Sequence, residues 1–89
     1  MNKENKYNMP EHTWGALRRY VDDGLEPGGF LTAVLEHELF EAFARADHLN
    51  QLTMMQIIKH IYNEEPCNCH GYKGVVSDWC EYIRKENSK

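Results

Sequence analysis

Apolar residues recur at the spacing of an α-helix along most of this chain, and no stretch alternates with period two for long enough to predict a strand. The stripe of Trp14, Leu17 and Val21 is one example, and the run Ile57–Ile61 is another. A chain of 89 residues can bury one modest hydrophobic core. The sequence therefore predicts a single all-α domain, a compact bundle of four or five short helices.

The ends of the chain differ from its middle. Residues 1–8 are polar and lack periodicity, so we expect a flexible N-terminal arm there. Residues 9–85 carry the helical pattern and form the predicted domain. The lysine-containing end, residues 86–89, is expected to be a frayed tail.

Local signals place several helix ends. Asn8 is predicted to cap the first helix while Glu11 reaches back to it, and Gly24 is predicted to end that helix in a left-handed conformation. Thr53 and Gln56 have the spacing of a capping box for a later helix.

The clearest break in the chain is the Pro-Gly-Gly segment within residues 25–29. The helix that follows is predicted to bend at residues 36–38, because one continuous helix would be long for so small a domain. Beyond the bend, Leu39, Phe40 and Phe43 are predicted to carry the apolar face.

The charge distribution argues against duplex nucleic acid as a partner. Ten Lys and Arg residues against fourteen Asp and Glu give a net charge of −4. Between Asp22 and Asp47 Arg45 is the only basic residue, so the basic stripe of a duplex-binding protein is missing. Such an acidic face can bind a basic protein surface, occupy a nucleic-acid site as a mimic, or be a solvated surface that keeps the protein soluble.

The sequence also predicts no membrane association. Its longest apolar runs are far below the roughly 20 residues of a transmembrane helix. Its polar start is unlike a secretory signal peptide. A cytoplasmic protein is the expectation.

One cluster raises the possibility of zinc. Cys67, Cys69 and His70 lie close together in the chain, with Cys80 and His60 further away. Zinc binds thiolate and imidazole groups, but one residue between paired cysteines is closer than structural sites normally use. Cys80 also falls on the apolar stripe of the last helix, where a buried thiol is common. We therefore predict free thiols, no metal site and no cofactor, with a small zinc-binding module as an alternative.

A set of polar and glycine residues near predicted helix ends forms the candidate ligand site. A nucleotide pocket needs a guanidinium group for phosphate, hydrogen-bonding groups for the base and an aromatic face. The candidate ligand-binding residues are His12, Thr13, Arg19, Gly28, Gly29, Arg45, Asp47 and Asn50. Simpler roles are available too, with Arg45 as a surface ion pair with Glu41 and Asp47 as a helix cap.

No nucleophile with a neighbouring base and orienting acid can be read from the sequence. We therefore predict no catalytic residues and a protein that is not an enzyme.

Five segments together resemble a family of small proteins encoded by bacteriophages and prophages. The resemblance covers roughly Met9 to Trp79. The segments are Met9–Thr13, Arg19–Val21, Pro27–Leu35, Ala44–Asp47 and Ile61–Asn63 with Pro66. Pro27–Leu35 is the most specific of them. Family members commonly carry a Cys-Trp-Gly-Ser-type loop, where this chain has Cys67–Tyr72. The resemblance implies a phage accessory protein in the host cytoplasm, without implying a mechanism.

Two binding functions fit that setting. In the first, a homo-oligomer sequesters a nucleotide-derived signalling molecule of host defence in pockets between subunits. In the second, the acidic face binds and blocks a host defence or regulatory protein. Pockets shared between subunits would allow so short a chain to enclose a ligand.

Overall fold

Six α-helices and one 3-10 turn form the part of the chain that the computed structural model describes, residues 4–88. None of these residues forms a strand, which confirms the all-α prediction. The helix count exceeds the expected four or five, because the link after Asp47 is itself a short helix. The helices are α1 (Glu11–Asp23), α2 (Gly29–Leu35), α3 (Leu39–Arg45), α4 (His48–Leu52), α5 (Met54–Glu64) and α6 (Val75–Asn87), and the 3-10 turn is Cys67–Cys69.

The C-terminus of α1 forms as predicted. Gly24 has a φ of 70°, and its amide donates to the carbonyl of Tyr20. The amide of Leu25 donates to the carbonyl of Arg19, which completes the capping of the last turn. A side chain at Gly24 would also approach the Cys80 carbonyl to 2.9 Å, so α6 crosses close to this turn.

The N-terminus of α1 differs from the prediction. Asn8 has a φ of 59° and does not cap the helix, whose N-cap residue is Pro10. Asn5 forms the local hydrogen bonds instead, accepting from the Met9 amide at 2.9 Å and donating to the Met9 carbonyl at 2.8 Å. Met9 is buried in this turn, and the observed N-cap lies two residues after the expected one.

The predicted capping box at Thr53 is also wrong. The Thr53 hydroxyl donates to the Leu49 carbonyl at 2.8 Å, one turn back in α4, rather than accepting from α5. Since α4 ends directly before Thr53, a carbonyl lies within reach behind it. Asp47 does cap α4, accepting from the Asn50 amide at 2.8 Å.

The predicted bend after α2 is confirmed. His37 has a φ of 58° and breaks the helix, and the amide of Glu38 donates to the carbonyl of Ala33. The chain then reverses, so that α3 packs mainly against α2.

The core lies where α1 and α6 pack together and where α5 and the 3-10 turn close over them. Tyr20 is fully buried, and its hydroxyl donates to the Cys69 carbonyl at 2.7 Å. The Trp79 indole donates to the Val21 carbonyl at 3.2 Å and links α6 to α1. Cys80 is fully buried, as its place on the apolar stripe predicted.

The apolar residues of α3 do not enter this core, contrary to the prediction. Leu39, Phe40 and Phe43 are 51%, 90% and 43% exposed, whereas Ala42 is buried. Ala42 is the buried residue of this seven-residue helix, and Phe40, two positions before it, lies on the opposite side of the helix.

Both chain ends bear on the predicted boundaries. Residues 1–3 and Lys89 lie outside the described residues. Within the expected arm, the Tyr7 ring contacts the His60 ring edge-on at 5.9 Å, and Lys6 pairs with Glu64 at 3.1 Å. At the other end α6 continues to Asn87. No helix within residues 4–88 has the length and apolar character needed to cross a bilayer.

Candidate functional site

An apolar cavity of about 200 Å³ lies between α3 and α5. Its walls come from both helices and from the ends of the neighbouring loops. The lining residues are Val34, His37, Glu38, Leu39, Ala42, Met54, Ile58, Ile61, Tyr62 and His70. Because most of these side chains are apolar, the cavity suits an apolar or aromatic group.

A histidine pair forms part of the cavity wall. His37 Nε2 and His70 Nδ1 are 3.0 Å apart, so one ring donates and the other accepts. Burial lowers the pKa of His70 and the neighbouring His37 lowers it further, against a smaller opposing effect of Glu65. Protonation of both rings would place two donors face to face, so acid weakens this contact.

Seven large apolar side chains of α3, α5 and the end of α4 are exposed, and we call them the apolar face; three of them, Leu39, Ile58 and Tyr62, also line the cavity. In α3, Leu39 and Phe40 lie four and three positions before Phe43. From the last residue of α4 into α5, the exposed apolar residues are again three or four positions apart, which is the spacing of one helix side. Phe40 is the most exposed, at 90%. The apolar face consists of Leu39, Phe40, Phe43, Leu52, Met55, Ile58 and Tyr62.

An open, polar depression adjoins the apolar face on the other side of α3. Arg45 lies across Gly29, where an added Cβ would be 2.9 Å from the guanidinium. Arg45 also donates to Glu41 at 2.7 Å. The depression is lined by Pro27, Gly29, Thr32, Ala33, Glu38, Leu39, Phe40, Glu41, Arg45 and Lys73.

The structure thus brings two of the eight sequence-predicted ligand residues, Gly29 and Arg45, into one depression. Gly28 precedes them as the exposed N-cap of α2, with no atom near enough to contact an added Cβ. Arg19 is exposed elsewhere, on the surface of α1 beside Gly15. Lys73 completes the depression and was missed, because nothing in the sequence connects it with α2.

The other four predicted residues meet where α1 and α4 begin, and they contact one another. The Thr13 hydroxyl donates to Asn50 Oδ1 at 2.6 Å, and both side chains are buried. His12 Nε2 lies 3.3 Å from Asp47 at the surface. Neither the cavity nor the depression is lined by any of the four. The Thr13–Asn50 contact joins α1 to α4.

A buried ionic cluster, which the sequence did not predict, lies at the end of α5. Glu65 is inaccessible and accepts from both Arg18 and His60, whose Nε2 lies at 2.5 Å. The Arg18 guanidinium stacks over the Trp14 ring at 5.0 Å. Nothing in the sequence around Glu65, which lies between the end of α5 and Pro66, indicates that Arg18 contacts it. Because His60 and Glu65 are inaccessible, this cluster is suited to holding helices together.

The three cysteines are free thiols. Cys67 is exposed, whereas Cys69 and Cys80 are buried, and burial raises the pKa of Cys80. Across residues 4–88, no group of three or more His, Cys, Asp or Glu side chains is arranged to hold a metal ion.

Scans of protein-family models, curated proteins and solved structures found no match for this chain. The resemblance to phage proteins therefore remains a prediction.

Proposed function

We propose that this chain is a phage-type accessory protein that acts by stoichiometric binding. In this proposal it sequesters a nucleotide-derived signalling molecule of host defence, held in the polar depression and enclosed by a second copy. The single observation that carries the proposal is the arrangement of Arg45 across Gly29, with Thr32 and Lys73 lining the same depression.

The chemistry of the depression supports an anionic ligand. A guanidinium group binds phosphate through two parallel hydrogen bonds, and a lysine adds a point charge. Arg45 is engaged by Glu41, and Lys73 lies 4.0 Å from Glu38. Both pairs are largely exposed, and exposed pairs contribute about 0–1 kcal/mol. A phosphate group can therefore take the place of either glutamate at little cost.

The openness of the depression supports a shared site. Ligand pockets normally bury most of a small ligand's surface, and this depression leaves one side open. Leu39 and Phe40 of the apolar face are among the residues that line it. A second copy bound against these residues would cover the open side of the depression.

The test is a binding measurement with cyclic dinucleotides and ADP-ribose as probes. Isothermal titration calorimetry should give a fixed ligand-to-chain ratio, and the ligand should be recovered intact after heating. Arg45→Gln should weaken binding by about tenfold or more, because it removes a charged hydrogen-bond donor. Arg19→Gln is the matched control, since it removes an exposed arginine outside the depression.

Equal effects of the two substitutions would place the site elsewhere, and turnover of the probe at substoichiometric protein would favour an enzyme. Absence of binding to every nucleotide in an extract of infected cells would refute sequestration.

A second candidate is blockade of a host defence or regulatory protein. The observation that favours it is the exposed apolar face beside the acidic side chains of Glu38 and Glu41. Recovery of one defined host protein at a fixed ratio, abolished by Phe40→Glu and with no bound nucleotide, would support blockade over sequestration.

A further inference from the structure

We infer that the apolar face is the contact between two copies of this chain, with Phe40 of each copy seated in the α3–α5 cavity of the other. The inference deepens the proposed function, because it names the surface through which a second copy would enclose the depression. Three observations support it: the extent of the face, the match between Phe40 and the cavity, and the placement of charge.

The extent of the face matches what a stable dimer needs. Its seven side chains are 37% to 90% exposed. With about 150–200 Å² for each large side chain, the exposed part amounts to roughly 750 Å². An interface of standard size buries about 800 Å² on each partner. The face is therefore large enough for one stable interface between two copies.

Phe40 and the cavity are complementary. A cavity of about 150 Å³ lined by apolar side chains can hold a benzene molecule, so one of about 200 Å³ can receive a phenyl ring. Leu39 lines both the cavity and the depression, and its neighbour Phe40 projects beside it from the depression side of α3. A projection and a hole that lie on either side of one residue can pair twice across a two-fold axis, so the contact closes at two copies.

The charges around the face are also complementary. Lys59 lies between Met55 and Tyr62 on the same side of α5, is exposed, and forms no ion pair with another described residue. Glu38 lies at the α3 side of the cavity. When Phe40 enters the other copy's cavity, the α3 edge of each copy meets the α5 edge of the other. Lys59 of each copy then approaches Glu38 of the other. This attraction favours packing of α3 against α5 over packing of α3 against α3.

The first test measures association of the wild-type chain and of Phe40→Glu by sedimentation velocity. The wild type should sediment as two copies or a multiple of two. The substitution should raise the dissociation constant by about 30-fold or more, as loss of a buried aromatic anchor does. Tyr82→Ala is the matched control, because it removes a half-exposed aromatic ring from α6, outside the apolar face. At concentrations low enough to keep both proteins monomeric, the melting temperature of Phe40→Glu should match the wild type, since Phe40 contributes little to the folded monomer.

The decisive test is complementation. Ile58→Lys places a charge in the cavity and should also prevent self-association. Mixed with Phe40→Glu, it should form a heterodimer, because one wild-type Phe40 meets one wild-type cavity and the two introduced charges attract each other. If Ile58→Lys fails to fold, Tyr62→Lys replaces it, since Tyr62 lines the cavity and is 76% exposed.

A monomeric wild type at concentrations of tens of micromolar, an association that Phe40→Glu leaves intact, or a mixture that stays monomeric would each overturn the inference. The nucleotide measurement is independent of these results. An Arg45-dependent ligand bound to a monomer would refute the inference and leave sequestration standing. A Phe40-dependent dimer that binds no nucleotide would support the inference and refute sequestration.

Discussion

The ionic cluster around Glu65 and the apolar face around Phe40 use their residues in opposite ways. In the cluster, charged side chains turn inward and find partners among themselves and Trp14. On the face, aromatic and aliphatic side chains turn outward beside an apolar cavity. The charged groups of one region pair within a single chain, and the other region leaves apolar surface exposed.

This difference indicates which residues stabilise the fold and which are available for binding. Buried polar groups with partners hold elements together, and removing one partner leaves the other unsatisfied. Exposed apolar groups contribute little to the folding of one chain but much to association. Substitutions should therefore affect stability in the cluster and the core, and binding on the face.

The largest loss of stability is expected from Glu65→Gln. It leaves Arg18 without its buried carboxylate, and removing one partner of a buried ion pair costs about 3–5 kcal/mol. Urea unfolding measures the change. Glu64→Gln is the matched control, because that neighbouring residue pairs with Lys6 near the surface and its substitution should cost clearly less. Equal costs at the two positions would contradict a structural role for the cluster.

The second prediction compares a Leu→Ala substitution in the core with the same substitution on the apolar face. Leu17→Ala removes a fully buried side chain from α1 and should cost about 3 kcal/mol. Leu52→Ala alters the apolar face, where Leu52 is 67% exposed, and should change the unfolding free energy by less than about 0.5 kcal/mol. Thermal unfolding of the two variants at low protein concentration is the measurement. A large cost at Leu52 would show that the face belongs to the core of the monomer.

A smaller loss is expected from Thr13→Val. The substitution keeps the side-chain shape but removes the donor to buried Asn50, so stability should fall by about 1–2 kcal/mol. Thr32→Val is the control, because the Thr32 hydroxyl bonds the Pro27 carbonyl at a long 3.4 Å. Nucleotide binding should be unchanged by Thr13→Val. Loss of nucleotide binding without loss of stability would support Thr13 as a ligand-binding residue, as the sequence predicts.

The smallest effect is a pH dependence at the wall of the cavity. Burial and His37 lower the pKa of His70 from its ordinary 6.5, so the unfolded chain takes up a proton there before the folded one. The free energy of unfolding should therefore fall as the pH drops from about 7 to about 5. His70→Gln should flatten part of this slope, whereas exposed His48→Gln should not. A slope unchanged in His70→Gln would refute this assignment.

Much of the fold could be predicted from local sequence, because its causes are local. Gly24 ends α1 since glycine tolerates the left-handed conformation, and the bend near His37 was expected because one continuous helix would be long for so small a domain. Capping at Asn8 and Thr53 was predicted wrongly, since Asn5 makes the local hydrogen bonds in place of Asn8 and the Thr53 hydroxyl bonds back to α4. Sequence spacing cannot rank such competing arrangements.

The candidate site was less predictable. Arg45 and Gly29 do share a depression, but they are joined by the packing of α3 against α2 rather than by any motif. Thr13 and Asn50, two of the predicted ligand residues, are joined by a hydrogen bond because the start of α1 meets α4, and sequence spacing does not indicate that contact. Lys73 entered the depression from a distant loop.

The sequence by itself determined that this chain is helical and where several helices break, because periodicity, glycine and proline act within a few residues. Only the tertiary structure decided which apolar residues are buried. Phe40 and Leu17 look alike in a helical pattern, yet one is 90% exposed and the other inaccessible. Burial depends on which surfaces meet, and for α3 the small Ala42 made the inner contact and left Phe40 outside.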